Sequence, residues 1–176
     1  MLDQDFFTLN VAVLTVSDSR TSDTDHSGDY LVEALTGMGH TLVDRSLVKD
    51  DVFRIRAHLS GWIARNDVQV VLITGGTGFA ARDVTPEALA PLLTRTIDGF
   101  GELFRMLSYQ DIGSATVQSR ALAGVANGTL IFALPGSTGA CKLGFEKILK
   151  EQLDARHKPC NFVSLFLPPP SSNQTT

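Results

Sequence analysis

The chain has 176 residues, 43% of them hydrophobic and 19% charged, which excludes a wholly disordered segment and a coiled coil. Its 19 acidic residues outnumber 15 basic ones, giving a net charge of -4, the wrong sign for a general nucleic-acid binder that works by counterion release. A local basic pocket for a small anion remains compatible with that balance, and the length suits one domain with a full core.

In chain order, the run Asn10 to Val16 is short, apolar and β-branched, and ends at polar Ser17-Asp18-Ser19-Arg20; it reads as a strand buried on both faces. Leu31, Ala34, Leu35 and Met38 then fall at helical spacing, with Gly39 closing the helix, and His40 to Val48 reads as a second strand. Val52, Ile55, Leu59, Trp62 and Ile63 mark a second helix that Asp50 or Asp51 caps. Val68 to Thr74 is the clearest buried strand and runs into Gly75-Gly76-Thr77-Gly78. A short helix is predicted to start at Pro86, with Thr85 as its cap. Phe100, Leu103, Phe104 and Leu107 form another helical face, which covers either the core or a subunit contact. Thr129 to Leu134 is a late strand, followed by Pro135-Gly136-Ser137 and a helix through Cys141, Phe145, Ile148, Leu149 and Gln152, with Ser137 as its N-cap.

Alternating strands and helices predict a three-layer α/β/α domain with a mainly parallel sheet and helices on both faces. The domain is expected over 10–166, after an extension of residues 1–9 and before a disordered tail, 167–176, rich in Pro, Ser and Thr. No segment reaches the ~18 apolar residues of a membrane span, and the start has no signal-peptide pattern. Cys141 and Cys160 make no disulfide or metal spacing, so the expectation is a cytoplasmic protein with reduced thiols.

In a sheet of this kind ligands bind at the edge where the strands end. The loops Ser17–Arg20, Lys49–Asp51, Thr74–Asp83 and Pro135–Ser137 should converge there. Thr74-Gly75-Gly76-Thr77-Gly78 is the strongest local signal, because glycines let the backbone approach an anion. It lacks the Lys-Ser/Thr of a Walker A loop. Gly76 to Ala81 fits the loose dinucleotide pattern G-x-G-x-x-G/A, but Arg82-Asp83-Val84-Thr85-Pro86 interrupts the helix that pattern requires. Asp83 is either a helix cap or a Mg²⁺ ligand, and one of Asp50 and Asp51 is free for chemistry while the other caps. The four histidines show no ligand spacing, no Ser lies in a G-x-S-x-G elbow, and Cys141 sits on the apolar side of its helix.

Leu14 to Arg20, Thr74 to Gly78, Arg82-Asp83-Val84-Thr85-Pro86-Glu87, Gly99-Phe100-Gly101-Glu102 and Leu134-Pro135-Gly136-Ser137 occur in this order. Together they resemble the MoaB/Mog family of molybdenum cofactor biosynthesis, over about residues 10–166. Gln118-Ser119-Arg120-Ala121 and Pro159-Cys160-Asn161-Phe162 are similar to its MoaB branch. The resemblance implies a molybdopterin-binding fold in which Mg²⁺·ATP transfers AMP to the terminal phosphate of molybdopterin, with release of pyrophosphate. It places Thr74, Gly75, Gly76, Thr77 and Gly78 at the nucleotide phosphates. Asp83 and Asp50 become the catalytic acids and Mg²⁺ ligands, and Ser17, Asp18, Pro135, Gly136 and Ser137 meet the pterin or its phosphate. The chain departs from the adenylylating pattern in having Lys49-Asp50-Asp51 where those members tend to show Pro-Asp. The resemblance also implies a homotrimer or homohexamer, possible contacts with other proteins of the pathway, and no membrane or nucleic-acid partner. A non-catalytic pterin-binding or scaffold protein is the alternative.

Overall fold

The computed structural model describes residues 5–167. Its elements are β1 (Asn10–Val16), α1 (His26–Gly37), β2 (Thr41–Val48), α2 (Val52–Ile63), β3 (Val70–Thr74), α3 (Thr85–Leu89), β4 (Arg95–Thr96), α4 (Asp98–Ile112), β5 (Leu122–Ala126), β6 (Thr129–Leu134), α5 (Thr138–Gly144) and α6 (Lys150–Gln152). A wider π turn, Phe145–Leu149, joins α5 to α6 without a break. The strands form one sheet in the order β2-β1-β3-β6-β5-β4. β2, β1, β3 and β6 pair in parallel; β5 is antiparallel to both β6 and β4.

The three central strands are apolar at nearly every position because both faces of the sheet are covered. Side chains alternate between faces with the period of two that a strand imposes. Val11 and Val13 of β1, Val70 and Leu72 of β3, and Leu130, Phe132 and Leu134 of β6 join one core. It includes Leu31 and Leu35 of α1, Phe100 and Phe104 of α4, and Cys141, Phe145, Ile148 and Leu149 of the last helix. The intervening residues, Ala12, Leu14 and Val16, Val71 and Ile73, Ile131 and Ala133, join a second core with Ile55, Leu59 and Trp62 of α2 and Ala88 and Leu89 of α3. The expected three-layer α/β/α architecture is therefore present, with a helix layer on each face.

β4 and β5 were not expected from the sequence. β4 has two exposed residues, and β5 is built from small side chains that hide any alternation. Gly124 in β5 lies so close to its neighbours that a Cβ there would stand 2.5 Å from the carbonyl oxygen of Arg95. In α4, Phe100 and Phe104 are buried, while Met106, Tyr109 and Ile112 are exposed; the helix covers the core with one face and leaves an apolar strip outside.

Ahead of β1, Leu9 is buried, its N–H donates to His40 Nδ1 at 3.2 Å, and the Phe6 ring stacks on His40 at 5.0 Å. Burial pushes the His40 pKa below its ordinary value. The tail expected over 167–176 lies outside the described residues apart from Leu167. Among the described residues no helix is long and apolar enough to cross a membrane.

The topology positions the site. β1 sits between β2 and β3, so the chain leaves β1 toward α1 on one face and leaves β3 toward α3 on the other. Their loops diverge and open a crevice at the carboxyl ends of these strands, the switch point where open α/β sheets bind ligands.

Candidate functional site

All the site residues named from the sequence line one cleft at that edge, with a volume of about 570 Å³: Ser17, Asp18, Asp50, Thr74 to Gly78, Asp83 and Pro135 to Ser137. The size falls in the range of small-molecule sites.

The glycine run forms the cleft floor. Gly75 and Gly76 have φ of +106° and +66°, a region where a side chain is strained. A Cβ on Gly75 would also stand 2.1 Å from the carbonyl oxygen of Val16, so the ends of β1 and β3 approach through this residue. The Gly75 N–H donates to the Leu134 carbonyl at 3.0 Å, and the Thr74 hydroxyl donates to the Pro135 carbonyl at 3.0 Å. These bonds tie β3 to the loop after β6.

Thr85 corrects one expectation. No side chain caps α3, whose N-cap position is Val84. The buried Thr85 hydroxyl instead donates to the Gly75 carbonyl at 2.7 Å, and the Thr85 N–H donates to the Gly76 carbonyl at 2.9 Å. A hydroxyl at a helix start satisfies whichever backbone group is nearer, and here the turning glycine loop brings its carbonyls to it. Asp83 is correspondingly not free: one carboxylate oxygen, Oδ2, accepts the Ala80 N–H at 2.8 Å and closes the loop between β3 and α3.

Of the two acids ahead of α2, Asp51 is the cap, accepting the Arg54 N–H at 2.8 Å. Asp50 is left to line the cleft. Asp50 and Asp83 both stand against the glycine loop. A Cβ on Gly76 would lie 3.1 Å from Asp50 Oδ1, and one on Gly78 would lie 2.7 Å from Asp83 Oδ2. Burial raises the Asp50 pKa above its ordinary value, and the Asp18 and Asp83 charges add to the rise; a backbone hydrogen bond from Asp18 and the Arg82 charge oppose it. The donor set is carboxylate oxygen crowded with like charge, which suits a hard divalent cation such as Mg²⁺. Among the described residues no group of three or more His, Cys, Asp or Glu side chains forms a metal cage.

Two arginines brace the cleft, and neither could be assigned a role from residue type or spacing. Arg20 donates to the Gly136 carbonyl and to Ser27 Oγ, both at 2.8 Å, and Ser27 Oγ donates to the same carbonyl at 2.8 Å. Behind them Asp25 caps α1 through the Gly28 N–H at 3.0 Å, accepts the Thr15 hydroxyl at 2.7 Å and pairs with Arg45 at 2.9 Å. Arg120 lies across from them. It donates to the carbonyls of Gly78 at 2.9 Å and Asp83 at 2.6 Å, pairs with Glu87, and covers the Phe79 ring at 5.0 Å. Its own N–H donates to the Thr77 carbonyl at 3.0 Å. Arg120 thus fixes the loop that carries Asp83 from outside the cleft.

Ser137 caps α5 as expected, accepting the Ala140 N–H at 3.2 Å. The flank formed by Phe104, Ser108, Ile112, Gln118 and Ser119 was not foreseen as part of the site. Ser119 Oγ is buried and has no hydrogen-bond partner among the described residues. Cys141 is core, as expected: burial pushes its thiol up to about 11, which leaves it protonated and inert at neutral pH.

An open, mostly parallel sheet with a glycine loop and acid pair at its switch point defines a doubly wound α/β protein of the small-ligand-binding class. Comparison with known proteins narrows this class. Residues 12–155 match the family model described as a probable molybdopterin binding domain. The molybdenum cofactor biosynthesis protein B of Escherichia coli K12 is 56% identical over 158 residues, which cover 90% of this chain and 93% of that protein. A crystal structure of a molybdenum cofactor biosynthesis protein B superposes with a TM-score of 0.82 at 43% identity, covering 85% of this chain and 94% of the other. The tungsten cofactor synthesizing protein MoaB from Pyrococcus furiosus gives a TM-score of 0.74 at 38% identity, covering 82% and 92%. The chain belongs to the MoaB/Mog family of molybdenum cofactor biosynthesis proteins.

Proposed function

We propose that this protein binds molybdopterin and ATP in the cleft and transfers AMP to the terminal phosphate of molybdopterin. An oxygen of that phosphate attacks the α-phosphorus of ATP; the new P–O bond forms as the bond to the β-phosphate bridging oxygen breaks, and pyrophosphate leaves. The nucleophile is already anionic at neutral pH, so the reaction needs no general base, and none of the histidines lines the cleft. Positioning and charge neutralisation supply the catalysis of such transfers.

The observation that carries this reading is the placement of Asp50 and Asp83 on either part of one glycine loop. The Gly75 N–H is already taken by Leu134, so phosphate binding in the loop falls to the N–H groups of Gly76, Thr77 and Gly78. Asp50 and Asp83 would hold Mg²⁺, with substrate phosphates completing its shell. When bound, the ion neutralises negative charge on the phosphates. Ser17, Asp18 and the Pro135–Ser137 turn, braced by Arg20, take the molybdopterin side, and Ser119 Oγ offers a hydrogen bond to a ligand there. The apolar strip of α4, Met106, Tyr109 and Ile112, is where copies of the chain would meet in a homotrimer or homohexamer. The location in this reading is cytoplasmic, where other proteins of the pathway would be met.

The test is pyrophosphate release from ATP with Mg²⁺ and molybdopterin. Release that requires all three components is the expected result. Molybdopterin binding without release would establish the non-catalytic pterin-binding alternative instead.

A further inference from the structure

Arg20 and Arg82 are the cations that line the cleft among the described residues, and they are held differently. Arg20 is anchored to the Gly136 carbonyl and Ser27 Oγ, each at 2.8 Å. Arg82 projects from the loop after β3 with 64% of its side chain exposed, and its polar contact among the described residues is one ion pair, Nη1 to Asp18 Oδ2 at 3.2 Å. Asp18 stands on the loop after β1, so this pair bridges the two loops that diverge at the switch point. The other Asp18 oxygen, Oδ1, accepts the Asp50 N–H at 3.2 Å, so the carboxylate is held from a second side while the guanidinium is held by the ion pair.

An exposed, single-contact ion pair is weak and is easily exchanged. A polyphosphate offers a guanidinium fork more oxygens and more charge than one carboxylate does. Asp18, Asp50 and Asp83 all line the same space, so an entering polyanion meets repulsion that a cation must offset. Arg82 can turn to it without breaking a buried contact.

We propose that Arg82 is a substrate-binding residue for the polyphosphate of a nucleoside triphosphate, held by Asp18 in the free protein and drawn off it by the ligand, so that the Asp18–Arg82 pair is a latch that nucleotide opens. This rests on the reading of the cleft as a nucleotide site. The latch makes nucleotide entry and release of the Asp18 carboxylate one event, and Asp18 belongs to the molybdopterin side.

The test is calorimetric titration of inorganic tripolyphosphate into the full chain in Mg²⁺ buffer, using wild type, Arg82→Ala, Asp18→Asn and the double variant. Arg82→Ala should weaken binding about tenfold or more, the loss of a charge-assisted hydrogen bond. Asp18→Asn keeps an acceptor for the Asp50 N–H but releases Arg82, and should tighten binding by up to about fivefold. In the Arg82→Ala background that gain should shrink to the part that relief of the Asp18 charge alone supplies. Arg82→Gln, which keeps most of the stem, stands in should the alanine variant misfold. Three results would overturn the latch: no tripolyphosphate binding by wild type, no loss in Arg82→Ala, or a gain from Asp18→Asn that persists undiminished without Arg82 and so reflects the general field alone. Pyrophosphate release separates the two readings. An intact tripolyphosphate pattern without release refutes adenylyl transfer but supports the latch. Release with an unchanged KM for ATP in Arg82→Ala refutes the latch and leaves adenylyl transfer standing.

Discussion

Replacing Asp83 by Asn and by Ala separates the charge of this residue from its place in the loop. Asp83 Oδ2 accepts the Ala80 N–H at 2.8 Å, and the Asp83 N–H returns a bond to the Ala80 carbonyl at 2.9 Å. Asn presents an oxygen to the same N–H, so the turn stays closed and only one negative charge leaves the cleft. Its stability should match wild type to within about 0.5 kcal/mol. Ala loses the side-chain bond as well; at this exposed turn that amounts to about 1 kcal/mol. In rate, removing one charged contact made to the transferring phosphates should cost ~10²–10³. Both variants should therefore lose turnover by about that factor, and only Ala should also lose stability.

The assay is pyrophosphate release at saturating ATP and Mg²⁺, beside molybdopterin titration and thermal unfolding of the same samples. Molybdopterin affinity should survive in the Asn variant. Turnover at the wild-type rate in Asp83→Asn would refute the metal-ligand role. A loss of molybdopterin affinity equal to the loss of rate would instead move Asp83 to the pterin side of the cleft.

Gly76→Ala places a Cβ 2.5 Å from Thr85 Oγ1 at a φ of +66°, and is expected to cost about 1–2 kcal/mol and to weaken ATP about tenfold or more while sparing molybdopterin; titration of the folded variant with each ligand checks it. Arg120→Ala strips bonds from the Gly78 and Asp83 carbonyls and from Glu87, so the KM for ATP should rise and stability fall by about 1–3 kcal/mol, with Lys restoring only part because an ammonium lacks the fork. The raised Asp50 pKa means that this group's contribution to stability is fully present below its unfolded pKa and is lost as pH rises through the higher folded value. Asp50→Asn should therefore be more stable than wild type at neutral pH, lose that advantage on acidification, and be inactive, as denaturation at several pH values and pyrophosphate release will show. Sedimentation should give a trimer or hexamer at micromolar concentration, and the mass of one chain would refute the assembly.

The central strands were legible because burial on both faces demands apolar runs, and the run Val70 to Thr74 stops at the Gly75-Gly76 pair. The helices were legible from one-sided spacing, and from residue type so were the cap of Ser137 and a cap at Asp50 or Asp51, which the Arg54 N–H decides for Asp51. Three features were not legible, each for a physical reason. β5 satisfies a steric demand for small residues, which erases the alternating pattern. Thr85 has the residue type of a cap, but a carbonyl ten residues earlier captured its hydroxyl. Arg120 reaches Asp83 across 37 residues, and no local periodicity announces a partner at that separation. The order of motifs along the chain drew these loops together on paper; their hydrogen bonds required the fold.

Backbone contact at the strand ends forms the floor of the cleft. A Cβ on Gly75 would strike the Val16 carbonyl at 2.1 Å, and one on Gly136 would stand 3.2 Å from the Gly75 Cα. The ends of β1, β3 and β6 therefore meet through two glycines rather than through side chains. The Gly75–Leu134 and Thr74–Pro135 bonds close the same junction. Close-packed backbone transmits displacement with little slack. A phosphate bound as proposed at the Gly76–Gly78 turn would sit one residue from this junction, beside both the Ser17 loop and the Pro135 turn. In the proposed reaction the nucleotide and pterin sides of the cleft would thus share one junction, which is what joining two substrates at a single phosphorus requires.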